Sequence, residues 1–258
     1  MSHPTLRSLE YWLYQYKRTW RGGLVNGVLS PVLFLAAMGL GLGGLVGSRS
    51  AAPGLHHVSY LVFLAPGLFA ANAMQVAVQE STYPVMAAIK WIRTYHAMLA
   101  TPLRVIDVLI AHLLWIAIRV FMACAIFLAV MAAFGTTKTW TAAFVLPAGL
   151  LTGVAFSAAV VAFAATREND TGFSMLFRFG VMPLFLFSGT FFPISLLPGW
   201  LHTIAYLTPL WHGVDLCRSL ALGTAHAWLT LTHVAYLSAM TAIGVFLATK
   251  TYRRRLEI

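Results

Sequence analysis

Apolar residues in this chain come in long blocks, separated by short segments rich in Gly, Pro and charge. A spanning helix needs about 20 mainly apolar residues. By that measure the blocks at 24–46, 59–80, 105–134, 141–165, 171–192 and 228–249 read as six transmembrane helices. The connections at 47–58 and 135–140 are short and polar, and Tyr60 and Trp140 stand at span edges, where amphipathic rings prefer to lie. The third block is longer than the hydrocarbon requires, which predicts tilt or an extension into the cytoplasm.

Three segments depart from this pattern. In 4–21, Leu6, Leu9, Trp12, Leu13, Tyr16 and Trp20 recur at helical spacing with Arg7, Glu10, Lys17, Arg18 and Arg21 between them. That predicts an amphipathic interface helix lying against anionic lipid headgroups. In 81–104, Ser81 or Thr82 can cap a helix with Pro84 in its first turn. Lys90, Trp91, Arg93, Tyr95 and His96 then form a basic, aromatic surface before Thr101-Pro102 ends the run. Such a helix suits either a lipid surface or a docking partner. In 191–223, Pro193, Pro198, Gly199, Pro209 and Gly213 interrupt an apolar stretch. Two half-length helices fit, one over about 198–207 and one capped by Thr208, ending near Gly223. Neither can cross, so 193–223 reads as a re-entrant hairpin entering from outside, buried in protein or lining a watery cavity.

Composition supports the membrane reading. Of 258 residues, 60% are hydrophobic and only 9% charged, against about 25% charged in soluble domains. A net charge of +10 would suggest nucleic acid in a soluble protein. Here the cations flank apolar blocks and report topology, so no nucleic-acid partner is expected. With the amino terminus inside, Arg7, Lys17, Arg18, Arg21, Lys90, Arg93, Arg104, Arg167, Lys250, Arg253, Arg254 and Arg255 are cytoplasmic. Only Arg49, Lys138 and Arg218 fall outside, so both termini are placed in the cytoplasm. The first apolar block carries no convincing cleavage site, and a cleavable signal peptide is not expected. Cys124 and Cys217 lack metal or disulfide spacing and read as buried thiols.

The motifs that suggest enzymes fail on context. Gly39 to Gly44 matches GxGxxG, but no strand precedes it and no acidic residue follows at the right distance; Gly39 and Gly43 suit close helix packing instead. The sequence has no GxxxxGK[ST] loop, hence no ATP site of that type of its own, and no HExxH. Ser188-Gly189 with His233 superficially suggests an intramembrane protease, but Leu186 stands where the nucleophile motif carries glycine. Arg119 lies well inside the third block and Arg178 about two turns into the fifth. Intramembrane charge costs about 2.5–3.5 kcal/mol on insertion scales, so both are functional candidates. Arg178 can snorkel. Arg119 is expected to face the interior or a cavity, where it could meet an anionic headgroup; Glu80 and Asp107 lie too near the cytoplasmic edge to be obvious partners. Asp215 and Arg218 are expected to pair across three residues.

Together these segments resemble the permease subunits of ABC-2-type exporters, most closely the nodulation lipo-oligosaccharide and daunorubicin-resistance type. The resemblance rests on Tyr60-Leu61-Val62-Phe63-Leu64-Ala65-Pro66-Gly67-Leu68, on Leu99-Ala100-Thr101-Pro102-Leu103, on Ser188-Gly189-Thr190-Phe191-Phe192-Pro193-Ile194-Ser195, and on Leu216-Cys217-Arg218-Ser219-Leu220. It implies an all-α membrane protein forming one transmembrane domain over 1–258, with an interface helix (4–21), a coupling helix (83–100) and an outer hairpin (193–223). It further implies a bacterial inner (plasma) membrane location, a second permease copy or sister permease, and two separate ABC ATPase subunits, which carry the ATP and Mg. This chain would have no catalytic residue, cofactor or metal. Tyr83, Lys90, Trp91, Arg93 and Tyr95 would contact the ATPase, with Arg167 and Glu168 as a secondary contact. Arg119, Arg178, Phe187, Phe191 and Phe192 are candidates for the substrate path. The cargo expected is an amphipathic lipid-linked saccharide, glycolipid or hydrophobic drug. A stand-alone secondary transporter or channel is the alternative, followed by an intramembrane enzyme.

Overall fold

The structure, a computed structural model, describes residues 4–37, 59–137 and 139–257. Helix α1 runs Pro4–Ala36, α2 Tyr60–Ser81, α3 Tyr83–Met86 continuing through a π-type turn at Ala87–Trp91, and α4 Thr94–Leu99. Helix α5 spans Val105–Ala133, and α6 Val145–Ala164 follows a 3₁₀ turn at Trp140–Phe144. Thr171–Met175 (α7) and Met182–Phe187 (α8) flank a π-type turn at Leu176–Val181, and a 3₁₀ turn at Ile194–Leu196 follows. Helices α9 (Gly199–Leu207), α10 (Pro209–Leu222) and α11 (Ala227–Leu256) complete the chain. Every regular element among the described residues is helical.

Among the described residues, four helices are long and apolar enough to cross a membrane: Tyr60–Trp91, Val105–Ala133, Trp140–Ala165 and Ala227–Leu256. The expected fifth span is shorter, an apolar helix at Thr171–Phe187. The expected interface helix at 4–21 and the start of the first span are one continuous helix of 33 residues, without a break at 21–24. The rest of the first span, its loop and the Gly39–Gly44 motif lie outside the described residues. The segment expected as one coupling helix over 83–100 is broken. Arg93 adopts φ 58°, a left-handed conformation uncommon outside glycine, and turns the chain between the π-type turn and α4. The expected caps are also redirected: Ser81 Oγ and Thr82 Oγ1 donate back to the Ala77 and Val78 carbonyls at 2.6 and 3.0 Å, closing α2 rather than opening α3. At the start of α5, the Asp107 carboxylate accepts from the Arg104 backbone N–H at 3.1 Å.

Helix α6 is the centre of the bundle, in contact with α2, α5, α10 and α11, while α1 packs along α5. Small residues set these approaches. A Cβ on Gly153 would lie 2.5 Å from Val120 Cγ1, and one on Gly213 2.6 Å from Thr152 Cγ2. A Cβ on Gly244 of α11 would lie 2.8 Å from both the Ala158 carbonyl carbon and the Ala159 nitrogen of α6. Without a hydrophobic drive between helices in lipid, such close backbone packing supplies much of the association. Gly244→Leu is therefore expected to force α11 off α6, at about 2–3 kcal/mol. Gly199→Ala, where a Cβ meets nothing within 4 Å, is the matched control. Thermal unfolding in detergent should separate the two; equal melting temperatures would contradict the packing account.

The half-helices predicted in the hairpin are present as α9 and α10. Thr208 does not cap α10 with its side chain: Oγ1 donates instead to the Ala205 carbonyl at 2.7 Å, ending α9. Gly223 ends α10 at φ +72°, a conformation that disfavours a side chain, with Thr224 N–H closing on the Ser219 carbonyl at 2.9 Å. Cys124 and Cys217 are free, buried thiols.

Candidate functional site

Three polar sites stand out. The first is the exposed turn after α2. Tyr83, Lys90, Trp91 and Arg93 are all exposed there. The π-type turn and the Arg93 kink bring Ile92 out beside them: Trp91 is 57% and Ile92 67% exposed. Ile92 carries no signal in the sequence, because a straight helix gives no reason for it to face outward. Tyr95 is a correction. Beyond the Arg93 kink it turns inward, fully buried, with its hydroxyl bonded to His112 Nδ1 and its ring 5.7 Å from that of Tyr252. A buried Tyr95 cannot touch a docked subunit.

The secondary contact joins the first. Lys90 Nζ donates to the Glu168 carbonyl at 2.6 Å and lies 3.7 Å from its carboxylate, while Arg255 Nη1 pairs with the same carboxylate. The hydrogen bond from Arg255, then its charge and that of Lys90, hold the Glu168 carboxyl below its usual range. The carboxylate therefore stays charged through neutral pH, and acid weakens these pairs only below the ordinary carboxylate range. Arg255 belongs to this cluster although the sequence pointed to it only as a topology signal. Arg167 stays on its own helix end, its guanidinium 4.7 Å over the Phe163 ring.

The second site contains Arg119. Contrary to expectation its partner is Glu80, with Nε 2.9 Å from Oε1. Helix α5 begins about 21 Å beyond this level, so a central position in α5 lies opposite the end of α2. The guanidinium also sits 4.7 Å over the Tyr16 ring, which ties α1 to the pair. A cavity of about 310 Å³ opens here, lined by Trp12, Gln15, Tyr16, Glu80, Trp115 and Arg119 among others.

The third site secures the hairpin. Asp215 and Arg218 do not pair with each other. Asp215 Oδ2 faces His233 Nε2 at 3.0 Å. Arg218 instead donates to the Phe63 carbonyl at 3.2 Å and the Gly189 carbonyl at 2.8 Å, with its guanidinium 3.9 Å over the Phe63 ring. Gly67 makes room: a Cβ there would lie 2.8 Å from Arg218 Nη2 and 2.9 Å from the Thr190 carbonyl oxygen. This gives a physical role to the Ala65-Pro66-Gly67 run. Ser188 and His233 have separate partners, Ser188 with Thr208 at 3.2 Å and His233 with His212 at 2.8 Å, rather than forming a dyad.

The substrate-path candidates do not converge. The Phe191 carbonyl accepts from Tyr60 Oη at 3.2 Å, and its ring meets Phe185 edge-on at 5.0 Å. Tyr60 and Glu80 open and nearly close α2, about 30 Å apart, so Phe191 and its neighbour Phe192 lie at the opposite end from Arg119. Both phenylalanines are half-buried, whereas Phe187 and Arg178 are exposed.

Residues 10–222 match the family described as ABC-2 type transporter. The chain is 33% identical over 242 residues to Nodulation protein J of Rhizobium leguminosarum bv. trifolii, covering 93% of this chain and 89% of that protein. It is 30% identical over 254 residues to Nodulation protein J of Rhizobium leguminosarum bv. viciae, covering 97% and 95%. To Nodulation protein J of Rhizobium meliloti it is 29% identical over 241 residues, covering 93% and 89%.

Proposed function

The chain belongs to the ABC-2 type transporter family, and on that premise we propose that it is the permease subunit of an ATP-driven exporter in a bacterial inner membrane, with both termini cytoplasmic. Its cargo is an amphipathic molecule: a lipid-linked saccharide, a glycolipid or a hydrophobic drug. Two permeases, identical or sister chains, assemble above two ABC ATPase subunits, which bind ATP and Mg.

The family match carries the reading, and the exposed turn supports it. Tyr83, Trp91 and Ile92 form an exposed apolar ridge flanked by Lys90 and Arg93 on the face assigned to the cytoplasm. Apolar surface of this kind commonly marks an interaction site. ATP binding drives the ATPases together, and the ridge transmits that movement through α3 and α2 into the bundle. The ATP-bound state must favour one permease conformation by a difference in free energy.

Lys90 is a poor reporter of docking because its substitution also breaks the contacts with Glu168. The variant Trp91→Glu/Arg93→Glu leaves those contacts in place. It should lower transport per ATP hydrolysed about tenfold or more, in line with loss of an aromatic anchor and a charge contact at an interface. Transport and hydrolysis measured in the same proteoliposomes would show it, and normal coupling in this variant would remove the docking assignment. Flux through proteoliposomes holding only this chain, without ATP, would favour a secondary transporter or channel instead.

A further inference from the structure

Helices α10 and α11 meet across two buried imidazoles. His212 Nδ1 and His233 Nδ1 lie 2.8 Å apart, and His233 Nε2 lies 3.0 Å from Asp215 Oδ2. The His212 ring stacks on Tyr236, centroids 3.9 Å apart and planes at 18°. Tyr236 Oη in turn donates to the Leu207 carbonyl at 2.8 Å, at the corner between α9 and α10. One polar seam thus fastens both half-helices of the hairpin to the last long helix.

The seam tolerates a limited number of protons. Between the two Nδ1 atoms there is room for one: one ring donates and the other accepts. Asp215 accepts the Nε2–H of His233, so that proton is always present on His233. With both rings neutral, His212 donates from Nδ1 to His233. An added proton arrives on His212 Nε2 as the shared Nδ1 proton passes to His233, which becomes the cation beside Asp215 and donates from Nδ1 to His212. A second added proton places two N–H groups face to face on two positive rings, and no hydrogen bond can join them.

We propose that His212, His233 and Asp215 form an acid-sensitive latch, which holds the outer hairpin on α11 and releases it when both imidazoles are protonated. The other groups facing the seam are few. Tyr206 of α9 meets Trp211 edge-on at 4.6 Å, with His202 behind it. Tyr236 comes from α11, and Arg218 lies one turn along α10 but is turned to the Phe63 and Gly189 carbonyls. From α6, Thr152 faces Gly213. Histidine is the side chain among these that titrates nearest neutral pH, and burial, then the neighbouring His233 ring, push the His212 imidazole down to about 4, so the second proton requires strong acid. That acid reaches the latch from outside the cell rests on the orientation proposed above; the latch itself rests on the geometry.

The full chain in lipid nanodiscs, where both faces meet the same pH, tests the latch independently of orientation and of any ATPase. After correction for intrinsic rates, amides of α9 and α10 should exchange about tenfold faster at about pH 3.5 than at about pH 7.5, the loss expected for one buried hydrogen bond. In His212→Asn the side-chain amide can still bond His233 Nδ1 but does not titrate, so the pH effect should vanish. Asp215→Asn changes neither ring and removes the nearby negative charge that favours the His212 cation, so release should need more acid. An unchanged acid response in His212→Asn, no response in the unmodified protein, or a midpoint that does not fall in Asp215→Asn would overturn the latch.

Discussion

Arg218→Leu is expected to loosen the whole hairpin of α9 and α10 and cost about 3 kcal/mol or more, because hydrogen bonds from a charged donor contribute about 1.5–3 kcal/mol each. The guanidinium joins the start of α2, through the Phe63 carbonyl, to the turn after α8, through the Gly189 carbonyl, while α10 carries the side chain itself. Leucine fills much of the volume but leaves both carbonyls without this donor. Arg218→Lys should recover only part of the loss. An ammonium is a point charge without the planar fork that reaches two acceptors and lies flat on the Phe63 ring. Gly67→Ala should behave like a mild Arg218 variant, since the added methyl would occupy space now taken by Nη2. Apparent melting temperatures in detergent, with the fraction of monodisperse protein, give the order: unmodified, then Gly67→Ala and Arg218→Lys, then Arg218→Leu. A melting temperature for Arg218→Leu equal to that of the unmodified protein would refute the bridging role.

The second large effect is expected at the pair of Glu80 and Arg119. Removing Arg119 alone, as in Arg119→Leu, strands a carboxylate among Trp12, Tyr16 and Trp115, with only about a fifth of the pair's side-chain surface exposed. The cost should be about 2–3 kcal/mol, below the 3–5 kcal/mol of a fully buried pair because the cavity admits some solvent. Glu80→Leu should cost a similar amount by stranding the cation, softened by its contact with Tyr16. The double variant should be more stable than the sum of the two losses predicts, by about 1–2 kcal/mol, because it leaves no charge behind. Strictly additive losses would mean that the two side chains do not depend on each other. Transport adds a separate reading: a double variant that regains stability but not export would place the pair in the cargo path, whereas full export would make it structural.

Much of the architecture was legible in the sequence because its signals are local. Long apolar blocks marked α2, α5, α6 and α11, and Pro and Gly spacing marked α9 and α10 to within a residue or two. The exposed, basic and aromatic character of Lys90, Trp91 and Arg93 also followed from composition and spacing. The misreadings share a different cause. Helical periodicity puts Tyr95 on the surface because it cannot show that Arg93 turns the chain by entering the left-handed region. Asp215 and Arg218 have the right spacing to pair, but each meets a stronger partner supplied by another element.

Local patterns were enough to place this chain in a membrane, to mark most of its helices and to show which family it resembles, since hydropathy, proline and glycine act within one or two turns. Tertiary structure decided which charges meet. Arg119 is answered by Glu80 across 39 positions, Lys90 by Glu168 across 78, and His212 by His233 across 21. A buried polar group must be satisfied by whatever donor or acceptor the packing brings within about 3 Å. That partner depends on helix register and on close approaches such as Gly244 on Ala158, which no local pattern specifies.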